Sequence, residues 1–483
     1  MLVAAGALPA SAAAHAVPGI DYRFPLPIWL YGAAAGAAVL ASAPAAAFAV
    51  QLREPRRKRD VYGRIRPLHL GAAGLIVSTV FLLVGLAGGF FGAQEFFENP
   101  LTIIIWVDFW VGLGIVSVLV GNAWDFVSPL NVAGRALERA LARRDVPARP
   151  YSERLGVWPS VALLLVWSWM ELIWDQAKEP RTLAAIIVLY IVAQLAAMAI
   201  FGTEVWLARG EVFTVFARTF ARFAPFELFV REASGECRAV RCLDPERLNC
   251  PSCWLDAQPE HRALRLRGYG AGIRREPPLG AAGGTFVLAV LATVVYDGFS
   301  QTNRYAQLEA FFLERSHWLS VHVKVLDTLI MAAIVLAFAL AFLLVVALVS
   351  RLEGSTVRDA ARRYATTLIP IAAVYFVSHY FLFLIYAGQF TGGNLLDPFG
   401  RDWVPDYGAW TGVPGVAVWW IQVVLIVWGH VLAVFEAHRV SLRAQGRART
   451  ALVTQAPLVA LMVGYTFAGL WTLGQVLQAP SVA

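Results

Sequence analysis

Two groups of side chains in this chain have the types and spacing to do chemistry. The first is Cys237, Cys242, Cys250 and Cys253, the only cysteines among 483 residues. Four thiolates in so short a stretch, with Pro251 tightening the final pair, suit a tetrahedral zinc ion. The connection between Cys242 and Cys250 is shorter than in most zinc ribbons, so an iron–sulfur cluster and free or oxidised thiols stay open. A zinc ion ringed by four sulfurs has no open position, and would stabilise the segment rather than catalyse. The second group is Asp108, Glu171, Asp297, Asp327, His379 and His430, each inside or at the edge of an apolar stretch. Ionisable groups are costly in a bilayer, so residues of this kind mark a function or a paired contact. Carboxylates and imidazoles can hold a divalent metal that activates water, or can act directly as general acids and bases. His317 and His322 add two imidazoles, but on a regular helix their separation leaves them roughly 140° apart. The sequence has no HExxH metal motif and no GxSxG nucleophile elbow.

The elements that must position these groups are transmembrane helices. Hydrophobic residues make up 58% of the chain and charged residues 15%, too few charges to cover a soluble protein of this size. Apolar stretches long enough to cross a bilayer recur at 28–50, 68–92, 101–121, 157–175, 183–202, 279–298, 327–350, 365–391, 416–437 and 455–477. The fold class expected is therefore all-α, a polytopic bundle of about ten transmembrane helices. Arg and Lys concentrate in the connections 51–67, 122–156, 203–278, 351–364 and 438–454, and are sparse in 93–100, 176–182, 299–326 and 392–415. The positive-inside rule then puts every basic connection in the cytoplasm and both termini outside. The net charge of +7 is mainly a topology signal whose partner is anionic membrane lipid; no nucleic-acid module interrupts the spans. The cysteines fall in the cytoplasmic insertion 203–278, where reducing conditions disfavour disulfides.

That topology gives the buried polar groups a depth. Asp108 lies about seven residues in from the outer end of the third span, and Glu171 lies in the outer third of the fourth, between Trp167 and Trp174. On the eighth span Tyr375, Ser378, His379, Tyr386 and Gln389 fall within an arc of about 100°, interrupted only by Leu382. Such a stripe is expected to face the bundle interior or a wet cavity, not lipid. Trp419, Gln422 and His430 share a face of the ninth span, beside Gly429 and Ala433, which permit close helix approach. The expected site is an outward-opening polar cavity lined by Tyr375, Tyr386, Gln389, Trp419, Gln422 and Asp297. Asp108, Glu171, His379 and His430 are its candidate catalytic groups or divalent-metal ligands.

Away from the spans, residues 1–14 read as a signal peptide ending Ala12-Ala13-Ala14, leaving 15–483 as one integral domain. Cleavage there would expose His15, whose amine and imidazole could chelate copper. The segment from Pro129 to Arg143 and a second at 205–223 mix apolar residues with arginines, as helices lying on the inner membrane surface do.

Several segments together resemble a bacterial family of polytopic membrane proteins labelled fenitrothion hydrolases. They are His15-Ala-Val-Pro, Pro25-Leu-Pro-Ile-Trp-Leu, Phe109-Trp-Val-Gly-Leu-Gly, Gly121-Asn-Ala-Trp-Asp, Ser128-Pro-Leu-Asn, Tyr151-Ser-Glu-Arg-Leu-Gly-Val-Trp-Pro and Tyr296-Asp-Gly-Phe-Ser. The resemblance covers most of the chain but not the cysteine cluster. It implies a bacterial inner-membrane protein that hydrolyses a lipophilic organophosphorus triester and releases a nitrophenol from a thiophosphate. It carries no assignment of catalytic residues. The residues themselves leave a second reading open, a transporter or permease for a metal ion or small solute, because buried carboxylates and histidines also line transport paths.

Overall fold

In hydrocarbon every backbone amide must bond within its own segment, so apolar runs of this length fold as helices. The computed structural model describes residues 26–50, 67–144, 146–230, 254, 258, 262–276, 278–404, 410 and 412–478. Its main helices are α1 (Ile28–Ala49), α2 (Pro67–Phe91), α3 (Pro100–Leu119), α4 (Pro129–Ala142), α5 (Trp158–Leu172), α6 (Pro180–Phe201) and α7 (Val212–Ala221). They continue with α8 (Ala281–Ser300), α9 (Asn303–Arg315), α10 (Val323–Glu353), α11 (Ile369–Ala387), α12 (Gly415–Gln445) and α13 (Ala448–Gln478). Among the described residues nine helices are long and apolar enough to cross a membrane: α1, α2, α3, α6, α8, α10, α11 with the turns before it, α12 and α13. The protein is an all-α, multi-pass membrane protein. Its one strand pair among these residues, β1 (Phe226–Val230) against β2 (Arg262–Leu266), is antiparallel with Phe226 opposite Leu266.

The helices differ sharply in how enclosed they are. In α3, α8 and the α11 span, 72%, 78% and 72% of the apolar window is buried, against 17% in α2 and in α10. Helices α3, α8 and α11 therefore form the centre, while α2 and α10 face lipid. Every residue from Ile369 to Ser378 is buried, so the helix carrying the polar stripe is enclosed by protein on all sides there. Contacts sort the connections to two ends. Asp175 meets Lys324, Arg181 meets Gln94, and Asn394 meets Phe97 at one end. At the other, Arg135 meets Glu204, Arg218 meets Asp125, and Tyr364 meets Glu353. This is the grouping the charge pattern predicts.

Two expectations are corrected. The fourth stretch is only a 15-residue helix, α5, which reaches about 22 Å and falls short of a ~30 Å core. Its ends still join the two ends of the bundle: Ser160 donates to the Arg209 carbonyl, and Trp169 donates to Thr328 at the start of α10. The segment 205–223 does not lie on the membrane surface. Its apolar part forms α7, buried from Val212 to Ala217 and packed on α3, α5 and α11. The reason is local. Glu211, fully buried, caps α7 by accepting from the Phe213 and Thr214 amides and from the Tyr190 hydroxyl at the middle of α6. At the other end Arg267, paired with Glu227 at 2.8 Å, donates to the carbonyls of Ala221 and Ala224. With both ends satisfied, a short helix can enter the membrane core without reaching the far side.

The segment Ile103–Val111 of α3 is a π-helix, a rare form that changes which way side chains project. The expected basic loop 438–454 is mostly helical. Helices α12 and α13 meet at a turn on Gly446, whose φ of 69° is the left-handed conformation that glycine adopts freely at a helix end.

Candidate functional site

The polar groups that converge come from the ends of α5 and α8 and the middle of α11. The His379 Nε2 lies 2.8 Å from Asp297 Oδ2, and both side chains are almost fully enclosed. Tyr380, next along α11, hydrogen-bonds the same carboxylate, and Gln301 Nε2 donates to Oδ1 at 3.0 Å. Gly298 lies against the imidazole, where a Cβ would stand 3.4 Å from Cε1, in close van der Waals contact. In a neutral imidazole whose Nε2–H donates to a carboxylate, Nδ1 is a bare lone pair. The His379 Nδ1 is buried with no hydrogen-bond partner among the described residues. A carboxylate-oriented imidazole with a free nitrogen is equipped to take a proton from water or a hydroxyl group.

Glu171, on the last turn of α5, is buried and accepts from Trp110 Nε1 at 3.0 Å. Trp110 belongs to the π-segment of α3. A π-helix turns roughly 80° per residue, so Trp110 and Asp108 project to opposite sides. Trp110 faces the core and holds Glu171, while Asp108 faces outward. Just after α5, Lys178 ends the turn Asp175–Lys178, and burial pushes its pKa below the ordinary lysine range. The carboxylates of Asp175, Asp297 and Glu171 act against that shift, and Lys324 adds to it. The neighbourhood therefore holds carboxylates on two helices with a lysine and an imidazole in reach of their field.

Below this cluster, toward the other end of the bundle, the interior is closed by aromatic rings. Trp110 packs on Phe216 and Phe376 with centroids 5.0 and 5.4 Å apart; Phe216 packs on Phe220 at 4.5 Å, and Phe376 on Tyr380 at 4.8 Å. All five are buried. Phe376 fits only because residue 114 is glycine, where a Cβ would stand 2.1 Å from the ring. Phe376 is one turn from His379, so the aromatic layer begins directly beneath the imidazole. Four of its members come from α7 and α11, and the sequence stripe contained none of them.

Not all the predicted residues join the cluster. Asp108 is half-buried and accepts from Thr391 at 2.8 Å, which ties the short helix Phe390–Leu396 to α3. His430 lies two turns further from the cluster than Gln422 and hydrogen-bonds the Ile426 carbonyl of its own helix through Nδ1. Gln389 binds the backbone of Trp410, and Tyr386 packs against Phe97 and Phe390. Trp419 stacks edge-on with Tyr31. Gln422 Nε2 donates to the Ser378 carbonyl, and Tyr375 pairs with Thr472 at 2.8 Å, so these two lie close beside the cluster. Asp327 accepts from Tyr305 at 2.6 Å. The stripe on one helix is thus divided among several contacts. Trp110, Tyr380 and Lys178 were missed: an indole, a phenol and a loop lysine carry no signal without knowledge of which helices meet.

Among the described residues no three His, Cys, Asp or Glu side chains are grouped to hold a metal ion. The four cysteines, His15 and residues 1–14 lie outside the described residues. Comparison with models of protein families, with curated proteins and with solved structures gave no match.

Proposed function

We propose that this chain is a membrane-embedded hydrolase that cleaves lipophilic organophosphorus triesters in the inner membrane of a bacterium. The observation that carries the reading is the buried His379–Asp297 pair, with Nδ1 of the imidazole free and an aromatic layer closing the bundle beneath it. An interior closed by aromatic rings beneath the pair suits catalysis better than passage. The triester class rests on the sequence resemblance, and the physiological substrate is to be sought among esters of that kind.

In this reaction His379 Nδ1 takes a proton from water as its oxygen bonds to phosphorus, and the phosphorus–aryloxy bond breaks to release the phenolate. Asp297 stabilises the imidazolium that forms, as the third member of a catalytic triad does. The imidazolium then returns its proton to the phenolate or to solvent, and the dialkyl thiophosphoric acid loses the second proton of the attacking water to solvent and leaves as its anion. Lys178 supplies positive charge near the developing negative charge.

One feature favours transport instead. Helix α7 begins at a buried carboxylate beside the middle of α6, and half-helices ending within the membrane are common at transporter sites. Purified protein in lipid nanodiscs, incubated with fenitrothion, separates the two readings. Nitrophenolate absorbance rising in proportion to protein supports hydrolysis. Its absence, with solute uptake by proteoliposomes, replaces the reading with transport.

A further inference from the structure

Helix α9 and the short helix His317–Val321 cross the end of the bundle between α8 and α10. Tyr305 pins α9 in place. Its hydroxyl donates to Asp327 at the start of α10 and lies 3.2 Å from the Tyr296 hydroxyl of α8. The rest of the segment leaves large apolar side chains uncovered: Phe311 is 48% exposed, Phe312 38%, Trp318 57% and Val321 66%. Single exposed apolar residues are unremarkable, but these continue a pattern. Along α10 the exposed apolar residues include Val325, Leu329, Leu336, Leu340 and Leu344, a stripe at helical spacing on a helix that faces lipid. Trp318 and Val321, on the short helix that His322 separates from α10, are exposed directly beyond the first residue of that stripe. The lipid-facing surface therefore does not stop where the span begins.

The segment carries Arg304 and Arg315 against Glu309 and Glu314, so what fits the same surface is the placement of its arginines, not a net charge. Arg304 and Arg315 are exposed, and the Arg315 guanidinium lies 3.6 Å from the centroid of Phe311 while donating to the Phe311 carbonyl. An arginine laid along an aromatic ring at a membrane edge keeps its charge at the level of the phosphates while the ring reaches inward. Tryptophan is suited to the same zone, with an apolar body and one polar N–H.

We propose that Asn303–Val321 lies in the headgroup zone of the leaflet at this end of the bundle. Phe312, Trp318 and Val321 contact acyl chains, and Arg304 and Arg315 contact lipid phosphates. The partner is the bilayer itself. This placement is independent of the hydrolase reading.

The test uses the full chain, one molecule per phosphatidylcholine nanodisc, labelled in parallel with hydroxyl radicals from water and with a photoactivated carbene reagent dissolved in the acyl chains. The expected result is carbene labelling of Phe312 and Trp318, as of Leu344, with loss of their hydroxyl-radical oxidation. Replacing both residues (Phe312→Asp and Trp318→Asp) should abolish carbene labelling of Val321 while leaving that of Leu344 intact. Oxidation of Phe312 and Trp318 without carbene labelling would place the segment in water and overturn the proposal. Protection from both reagents would mean that protein covers it, and would overturn it equally.

Discussion

The imidazole of His379 is held against Asp297, Nε2 to Oδ2 at 2.8 Å, where Gly298 of α8 lies against the ring. The two residues are 82 positions apart in the chain, and no sequence motif joins them. Asp297→Asn keeps the size of the side chain but can present an N–H to Nε2, which would favour the tautomer with its proton on Nδ1, the wrong nitrogen. On the proposed mechanism this variant and His379→Ala should each lose at least ~100-fold in turnover of fenitrothion, the scale of losing a general base. Size-exclusion profiles should match the wild type. Two well-folded variants with wild-type rates would place the chemistry elsewhere.

Trp110 and Glu171 form a second buried pair, indole Nε1 to Oε1 at 3.0 Å, and Glu171 has no ion pair among the described residues. Trp110→Phe keeps the ring packing on Phe376 but removes the donor. It should destabilise the protein by about 1–3 kcal/mol, the cost of leaving a buried acceptor unpaired. Trp110→Phe combined with Glu171→Leu should cost less than the two single changes summed, read as midpoints of thermal unfolding in detergent. Strict additivity would show that the hydrogen bond contributes nothing.

Much of the bundle was legible because the bilayer imposes two strong rules, length and charge asymmetry, and the chain obeys both. The limits of α6, α8 and α11 follow from the hydropathy of the chain. The depth of Glu171 and His379 followed from counting residues. The partners did not. Asp297 was read at the edge of its span, yet it is buried against His379, a contact that only the meeting of α8 and α11 creates. Asp108 was grouped with Glu171 on depth alone, yet it accepts from Thr391 and lies on the opposite side of α3 from Trp110, which holds Glu171. Helix α7 read as a surface segment because Arg209, Arg218 and Arg222 flank its apolar residues. Those arginines are absorbed by Glu153, Asp125 and Glu276, which lie far away in sequence.

The short helix α5 makes topology a sharp test. If α5 and its neighbours pass from one face of the membrane to the other, reporter fusions at Arg144 and Arg443 should report cytoplasm, and those at Glu98 and Asp402 the exterior. If α5 turned back, Glu98 and Asp402 would report opposite sides. A mixed result of that kind would leave α8 to α13 inverted relative to α1 to α3, and would remove the cytoplasmic assignment of the cysteines.

For the cysteine segment the expected outcome is about one zinc per chain in protein purified under reducing conditions, measured by elemental analysis. Cys250→Ser with Cys253→Ser should remove the zinc and make the 231–253 segment more sensitive to protease, with fenitrothion turnover unchanged. Metal-free protein, or a disulfide mapped between these cysteines, would refute the assignment.

Arg267 and Glu227 carry the prediction on stability. Both side chains are buried, with a 2.8 Å ion pair between them. The same guanidinium donates to the carbonyls of Ala221 and Ala224, where α7 ends inside the protein. Removing one member of a buried pair strands the other charge, so Arg267→Met should destabilise by about 3–5 kcal/mol. Replacing both, Arg267→Met with Glu227→Leu, removes the stranded charge and should recover part of that loss. Recovery should be incomplete, because the last carbonyls of α7 still lack a donor, and an unsatisfied buried carbonyl costs about 1–3 kcal/mol. Glu227→Gln strands the Arg267 guanidinium but leaves it an amide acceptor and both carbonyl bonds, so it should still be the mildest of the three. Unfolding midpoints in detergent rank them: Glu227→Gln above the double variant, and the double variant above Arg267→Met. A double variant as stable as Glu227→Gln would mean that the bonds from Arg267 to these carbonyls contribute nothing to holding α7.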